Sequence, residues 1–250
     1  MSKSRSNLFL FGGTVILIAL LALFGPEEES LGANVRIVYL HGAWVLTAEL
    51  VLLLAGLAGL IGLVTPRKNF HGWSAALGRT GIFFWVILNT VIFCAFLPLR
   101  PQSSQRFLKG FLSVLCVLRG SVFSIFKTAI CNRAQYTYLP LSLWAMQSNW
   151  NGLFLAEPRF RLALIFAVTG VLLQAGLWLI NMDWVTSLAN IIFIVVLRVV
   201  FATAKNVLHP PPAPIFNSGN YVIIGFFLAM IALSLVAAYF MTRAFAQNLK

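Results

Sequence analysis

Acidic residues are scarce in this 250-residue chain, with six Asp and Glu against 18 Lys and Arg and a formal net charge of +12. Three of the six acids are the run Glu27, Glu28 and Glu29, and Glu49, Glu157 and Asp183 stand far apart. No pair of carboxylates spaced for general acid–base work can be read from that set. Cysteine is equally sparse. Cys94, Cys116 and Cys131 form no CxxC or CxxCH pattern, so neither a thioredoxin-like redox pair nor covalent c-type haem attachment is legible; a Cys116–Cys131 disulfide outside the membrane is the one pairing left open. No Ser/His/Asp set, phosphate-binding glycine loop or metal-spaced Cys/His cluster occurs, and the expectation is a protein that is not an enzyme.

Apolar residues are abundant, 60% of the chain against 10% charged. Several runs of 18 or more residues carry almost no charge, which a soluble core does not require. The expected fold is an all-α integral membrane protein, residues 1–250 forming a single membrane domain. In this setting the basic excess serves orientation and anionic lipid head groups, and no nucleic-acid partner is expected.

Six spans are predicted, over residues 8–24, 37–64, 73–97, 162–182, 185–204 and 221–241. Lys3 and Arg5 precede the first, no small-x-small cleavage site follows it, and it reads as an uncleaved span rather than a removed signal. The acidic loop at Glu27–Glu29 and the basic loop Thr65-Pro66-Arg67-Lys68 then alternate across the membrane. By the positive-inside rule both termini are cytoplasmic, in what reads as a bacterial cytoplasmic membrane.

Between the third and fourth spans an insertion, residues 100–158, departs from this pattern. It stays apolar while carrying Arg106, Lys109, Arg119, Lys127 and Arg133, with Lys109 and Lys127 on one helical face and Phe111, Leu115, Leu118, Val122 and Phe126 spread over the rest. An amphipathic segment lying on the outer face fits better than a span, which would place Arg119 in the hydrocarbon at a cost of about a few kcal/mol.

Two of the three histidines stand at the mouths of apolar runs. His41 lies in Arg36-Ile37-Val38-Tyr39-Leu40-His41-Gly42-Ala43-Trp44, and His209 in Lys205-Asn206-Val207-Leu208-His209, followed by Pro210-Pro211-Pro212. With six spans both fall at the outer surface, where two neutral imidazoles on different helices can supply the axial nitrogens of one haem. Tyr39, Trp44, Trp144 and Trp150 are candidates to cover its faces. An aromatic belt with interfacial histidines accounts for the same positions, and position alone favours it.

The elements around these histidines resemble a known family. Arg36-x-x-Tyr39-x-His41 followed by Ala43-Trp44 is similar to the opening of the second span in the CcmC-like haem-handling proteins of cytochrome c maturation. Asn206-Val207-Leu208-His209 resembles the Thr-Leu-His element before the last span of that family, and Trp150-Asn151 with Glu157 stands at the place and spacing of its tryptophan-rich segment. The resemblance implies a non-covalent b-type haem held at the outer face with His41 and His209 as iron ligands, and Arg36, Tyr39, Trp44, Trp150 and Asn151 around it. It also implies as partners a c-type cytochrome or its assembly proteins. The chain departs from the family by lacking two residues between His41 and Ala43, by a reduced tryptophan box and by the insertion of about fifty residues before it. The segment most altered is the one the family uses to present haem, which places haem binding ahead of haem delivery. A different reading is a structural or electron-relay subunit of a larger membrane complex, on the same scaffold with delivery lost; intramembrane charges also fit a transporter.

Two ionisable residues fall inside predicted spans. Glu49 lies eight residues after His41 and Arg198 eleven before His209, which puts them about 12 and 16 Å beneath one surface at the helical rise. An ion pair between the second and fifth spans would satisfy both; Arg198 bonded to backbone carbonyls beside a protonated Glu49 is the alternative.

Overall fold

A computed structural model describes residues 3–29, 31–65, 68–88, 157–204 and 214–247. Among them the chain is helical, with no strand beyond a single bridge between Glu28 and Gly32. In order the helices are α1 (Lys3–Leu23), α2 (Val35–Val64), α3 (Lys68–Phe83), α4 (Pro158–Ile180), α5 (Asp183–Thr203), α6 (Pro214–Asn217) and α7 (Tyr221–Gln247). A π-helical turn, Phe84–Leu88, continues α3. Five helices are long and apolar enough to cross a membrane: α1, α2, α4, α5 and α7. This is an integral membrane protein. Residues 89–97 of the third expected span and residues 100–156 of the insertion lie outside the described residues.

The helix ends follow from local chemistry rather than from hydropathy alone. The apolar run suggests a fourth span from residue 162, yet α4 begins at Pro158. The Glu157 side chain accepts the Phe160 N–H at 2.6 Å, and proline in the first turn has no N–H to satisfy. Asn181, in the left-handed region at φ 51°, ends α4 and turns the chain directly into α5. Gly32, at φ +54°, closes the loop before α2 by donating its N–H to the Glu28 carbonyl at 2.6 Å.

Helix α2 is the axis of the bundle. Half of its most apolar window is buried, against 11% for α1, and it touches α1, α3, α5 and α7. It runs down from what we call the upper end, where α1 and α5 finish and α4 and α7 begin. Glycines allow its close neighbours: a Cβ at Gly56 would meet Ile194 of α5 at 2.8 Å, and one at Gly59 the Ser187 carbonyl oxygen at 2.8 Å. Tyr39, Trp44, Phe84, Trp85, Leu197 and Met230 fill the core. The outward faces stay apolar, with Leu53, Leu57, Leu172, Leu179, Val195 and Val199 exposed as a lipid-facing wall would be.

Candidate functional site

At the upper end, Arg36 ties the start of α2 to the loop that precedes it. Its Nε donates to the Gly25 carbonyl at 3.0 Å and its Nη2 pairs with Glu27 at 3.1 Å. One turn on, the Tyr39 hydroxyl donates to the Pro26 carbonyl at 3.2 Å, and its ring lies 5.3 and 6.4 Å from those of Phe226 and Phe227 on α7. Tyr39 and Trp44 are both 0% exposed. Two of the aromatics suggested as cover for a ligand therefore sit inside the helix packing. His41, between them in sequence, is half-buried.

Phe227 is the hub of this end. A Cβ at Gly42, the neighbour of His41, would come within 3.2 Å of its ring, and Phe216 of α6 meets the same ring edge-on at 5.6 Å. Ile215 buries itself in the same core. His209, Trp150 and Asn151 lie outside the described residues, as does Trp144. Deeper in this half, Trp44 Nε1, Thr47 Oγ1 and Ser234 Oγ are enclosed with no hydrogen-bond partner among the described residues.

Comparison with protein-family models, with curated proteins and with solved structures finds no match. The site must be read from its own geometry. On that ground the described residues supply one imidazole at the upper end, that of His41, whose neighbour Gly42 stands against the Phe227 ring that Phe216 meets edge-on. Among the described residues no group of three or more His, Cys, Asp or Glu could hold a metal ion, so an iron there would depend on imidazole and porphyrin together.

Midway down the bundle the structure brings Glu49 and Arg198 together, Nη1 donating to Oε2 at 2.6 Å. The pair joins α2 to α5 about 12 Å of helix below His41.

The lower half holds a set of residues that the sequence reading passed over. His71 Nδ1 lies 2.7 Å from Ser187 Oγ, and Ser74 Oγ donates to the Ala55 carbonyl at 2.9 Å. Asn190 Nδ2 donates to both Ser74 O and Ser74 Oγ, at 3.0 and 3.1 Å, and Asn190 Oδ1 accepts from Gln174 Nε2 at 2.9 Å. Four helices, α2 to α5, are thereby linked. Gly59, Gly62 and Gly78 stand against the network, where a Cβ would meet Ser187 O, the His71 ring and the Asn190 amide within 2.8–2.9 Å. The available signal is the Gly56-x-x-Gly59-x-x-Gly62 spacing on α2, together with lone Ser, Asn and Gln in otherwise apolar runs.

Proposed function

We propose that this chain is a haem-handling membrane protein that holds one non-covalent b-type haem at the upper end, with His41 and His209 as the axial ligands of its iron. The observation that carries the reading is the contact made through Phe227. Its ring is shared by Gly42, beside His41, and by Phe216, seven residues after His209. The chain that leaves His209 thus returns to the bundle next to His41, and seven residues can span about 25 Å at most. When bound, such a haem supplies one-electron redox chemistry or cargo for transfer to an apocytochrome. Arg36 and Tyr39 hold the top of α2 to the loop before it, and thereby fix the height at which His41 stands.

In this reading the upper end is the outer face of a bacterial cytoplasmic membrane, and both termini are cytoplasmic. Trp150 and Asn151 contribute to the haem edge, and the partners are other membrane-protein subunits, a c-type cytochrome or its assembly proteins. Tyr39 and Trp44 act from within the packing. That enclosure favours a second reading, a structural or electron-relay subunit of a larger complex, because residues committed to the core are not available to present a cargo.

A reduced-minus-oxidised spectrum of the full chain, purified after haem-replete expression, tests the proposal. The expected result is a low-spin b-type spectrum that is lost or converted to high spin in His41→Ala and in His209→Ala. Absence of extractable haem from the wild-type protein would remove the haem reading and leave the structural one.

A further inference from the structure

We propose that the Glu49–Arg198 pair is the contact point of a homodimer, in which a second copy of this chain packs against the outer faces of α2 and α5. The pair stands at an unusual place. Glu49 is the fifteenth of the 30 residues of α2, about 21 Å of helix from either end, a depth that belongs to the hydrocarbon. Charged side chains at that depth almost always turn into the bundle. Arg198 does the opposite: over the described residues 62% of its side chain is exposed, and its neighbours Val195 and Val199 are exposed and apolar. On α2 the exposed Leu50, Leu53 and Leu57 continue the same wall.

Neutrality alone does not satisfy the pair. Arg198 Nη1 donates to Glu49 Oε2 at 2.6 Å, which uses one of five guanidinium N–H donors and one carboxylate oxygen. The exposed donors find no acceptor in acyl chains, where an unmade hydrogen bond is costly. A partner bringing a single charge would complete those bonds but leave the cluster charged in hydrocarbon. The wall therefore calls for a neutral group that offers an acceptor to Arg198 and a donor to Glu49 at one depth. This chain carries such a group itself, the same pair reversed.

Symmetry supplies the reversal. Two copies inserted with the same topology are related by a twofold axis along the membrane normal, the simplest closed arrangement. Rotation about that axis keeps depth and exchanges left for right. Glu49 of each copy then faces Arg198 of the other, and the closed contact is a ring of two carboxylates and two guanidiniums without net charge. The register continues one turn lower. Helices α2 and α5 are antiparallel, Gly56 lying beside Ile194 and Gly59 beside Ser187. Leu53, four residues after Glu49, is therefore level with Val195, three before Arg198, and Leu53 of one copy meets Val195 of the other.

The test uses the full chain in phosphatidylcholine liposomes, with donor and acceptor fluorophores on C-terminal tags, and reads energy transfer as the protein is diluted with lipid. The wild type should follow a monomer–dimer equilibrium. The double variant Glu49→Gln/Arg198→Met, which leaves no lone charge behind, should dissociate with an apparent Kd at least about tenfold weaker. Cross-linking gives a second measurement with the pair intact, should that variant fail to accumulate. With Cys94, Cys116 and Cys131 replaced by Ser, copies carrying Leu53→Cys and copies carrying Val195→Cys should form a disulfide dimer when reconstituted together. A wild type with no transfer beyond chance encounter overturns the dimer, and leaves the wall to lipid, to another membrane subunit or to residues 89–156 of the same chain. Equal transfer in the double variant overturns the pair as the contact, and a dimer without the Leu53–Val195 cross-link overturns the twofold register.

Discussion

The upper and lower halves of the bundle are joined by different chemistry. Above, α2 meets α7 through rings: Tyr39 against Phe226 and Phe227, with Gly42 beneath the Phe227 edge. Below, α2 to α5 meet through short polar side chains and backbone, from His71 and Ser187 to Ser74, Asn190 and Gln174. The lower bonds are directional and satisfied, whereas the upper half encloses Trp44 Nε1, Thr47 Oγ1 and Ser234 Oγ without partners among the described residues. A ring can turn to admit a neighbour. A carbonyl fixed in a helix cannot, and the lower half is accordingly the rigid clamp and the upper half the adaptable end.

The contrast can be broken most forcefully at its glycines. Gly59→Ala sets a methyl 2.8 Å from the Ser187 backbone oxygen, and should destabilise the protein by about 2–3 kcal/mol in reversible unfolding from detergent micelles. A loss near zero would show that α2 and α5 can move apart freely, and the clamp would be disproved. Asn190→Ala removes the amide that links Ser74 to Gln174 and should cost about 1–2 kcal/mol by the same measurement. If Gln174→Ala and Asn190→Ala prove additive, the network is only a set of separate bonds.

Between the two halves, Glu49→Gln and Arg198→Met should each weaken the fold more than their combination does, with a coupling of about 0.5–1 kcal/mol. Additive losses would mean that the 2.6 Å contact contributes no net stability. The smallest effect belongs to the upper end. Gly42→Ala meets only the edge of the Phe227 ring, at 3.2 Å, and should cost under about 1 kcal/mol, since the ring can rotate away. A loss as large as that of Gly59→Ala would erase the difference between the halves.

Hydropathy makes the long helices legible because each must satisfy its backbone internally and present an apolar surface to lipid. Residue counting at 1.5 Å per residue likewise puts Glu49 and Arg198 at similar depth, and their side chains are in contact in the structure. The lower network escapes the same reading for a physical reason. Ser74, Gln174, Ser187 and Asn190 are neutral, so they barely lower the mean apolarity of their windows, and nothing in one-dimensional spacing tells which face they share. The start of α4 is similarly hidden, because Glu157 and Pro158 act through a cap bond and a missing N–H rather than through hydrophobicity. At the upper end, Arg36, Tyr39, His41 and Trp44 are readable as a motif, but that Tyr39 and Trp44 turn inward depends on the rotation of α2 against α7.

Only Asn181 and Met182 separate α4 from α5. A link that short cannot leave one helix in the bilayer while the other waits in water, so the two must enter as a hairpin during biogenesis. Gln174 and Asn190, 16 residues apart across that turn, can then bond as soon as the hairpin forms, shielding two amides from hydrocarbon before α2 and α3 close around them. Asn181, by taking the left-handed conformation that reverses the chain, thus helps to set the order of assembly as well as the final topology.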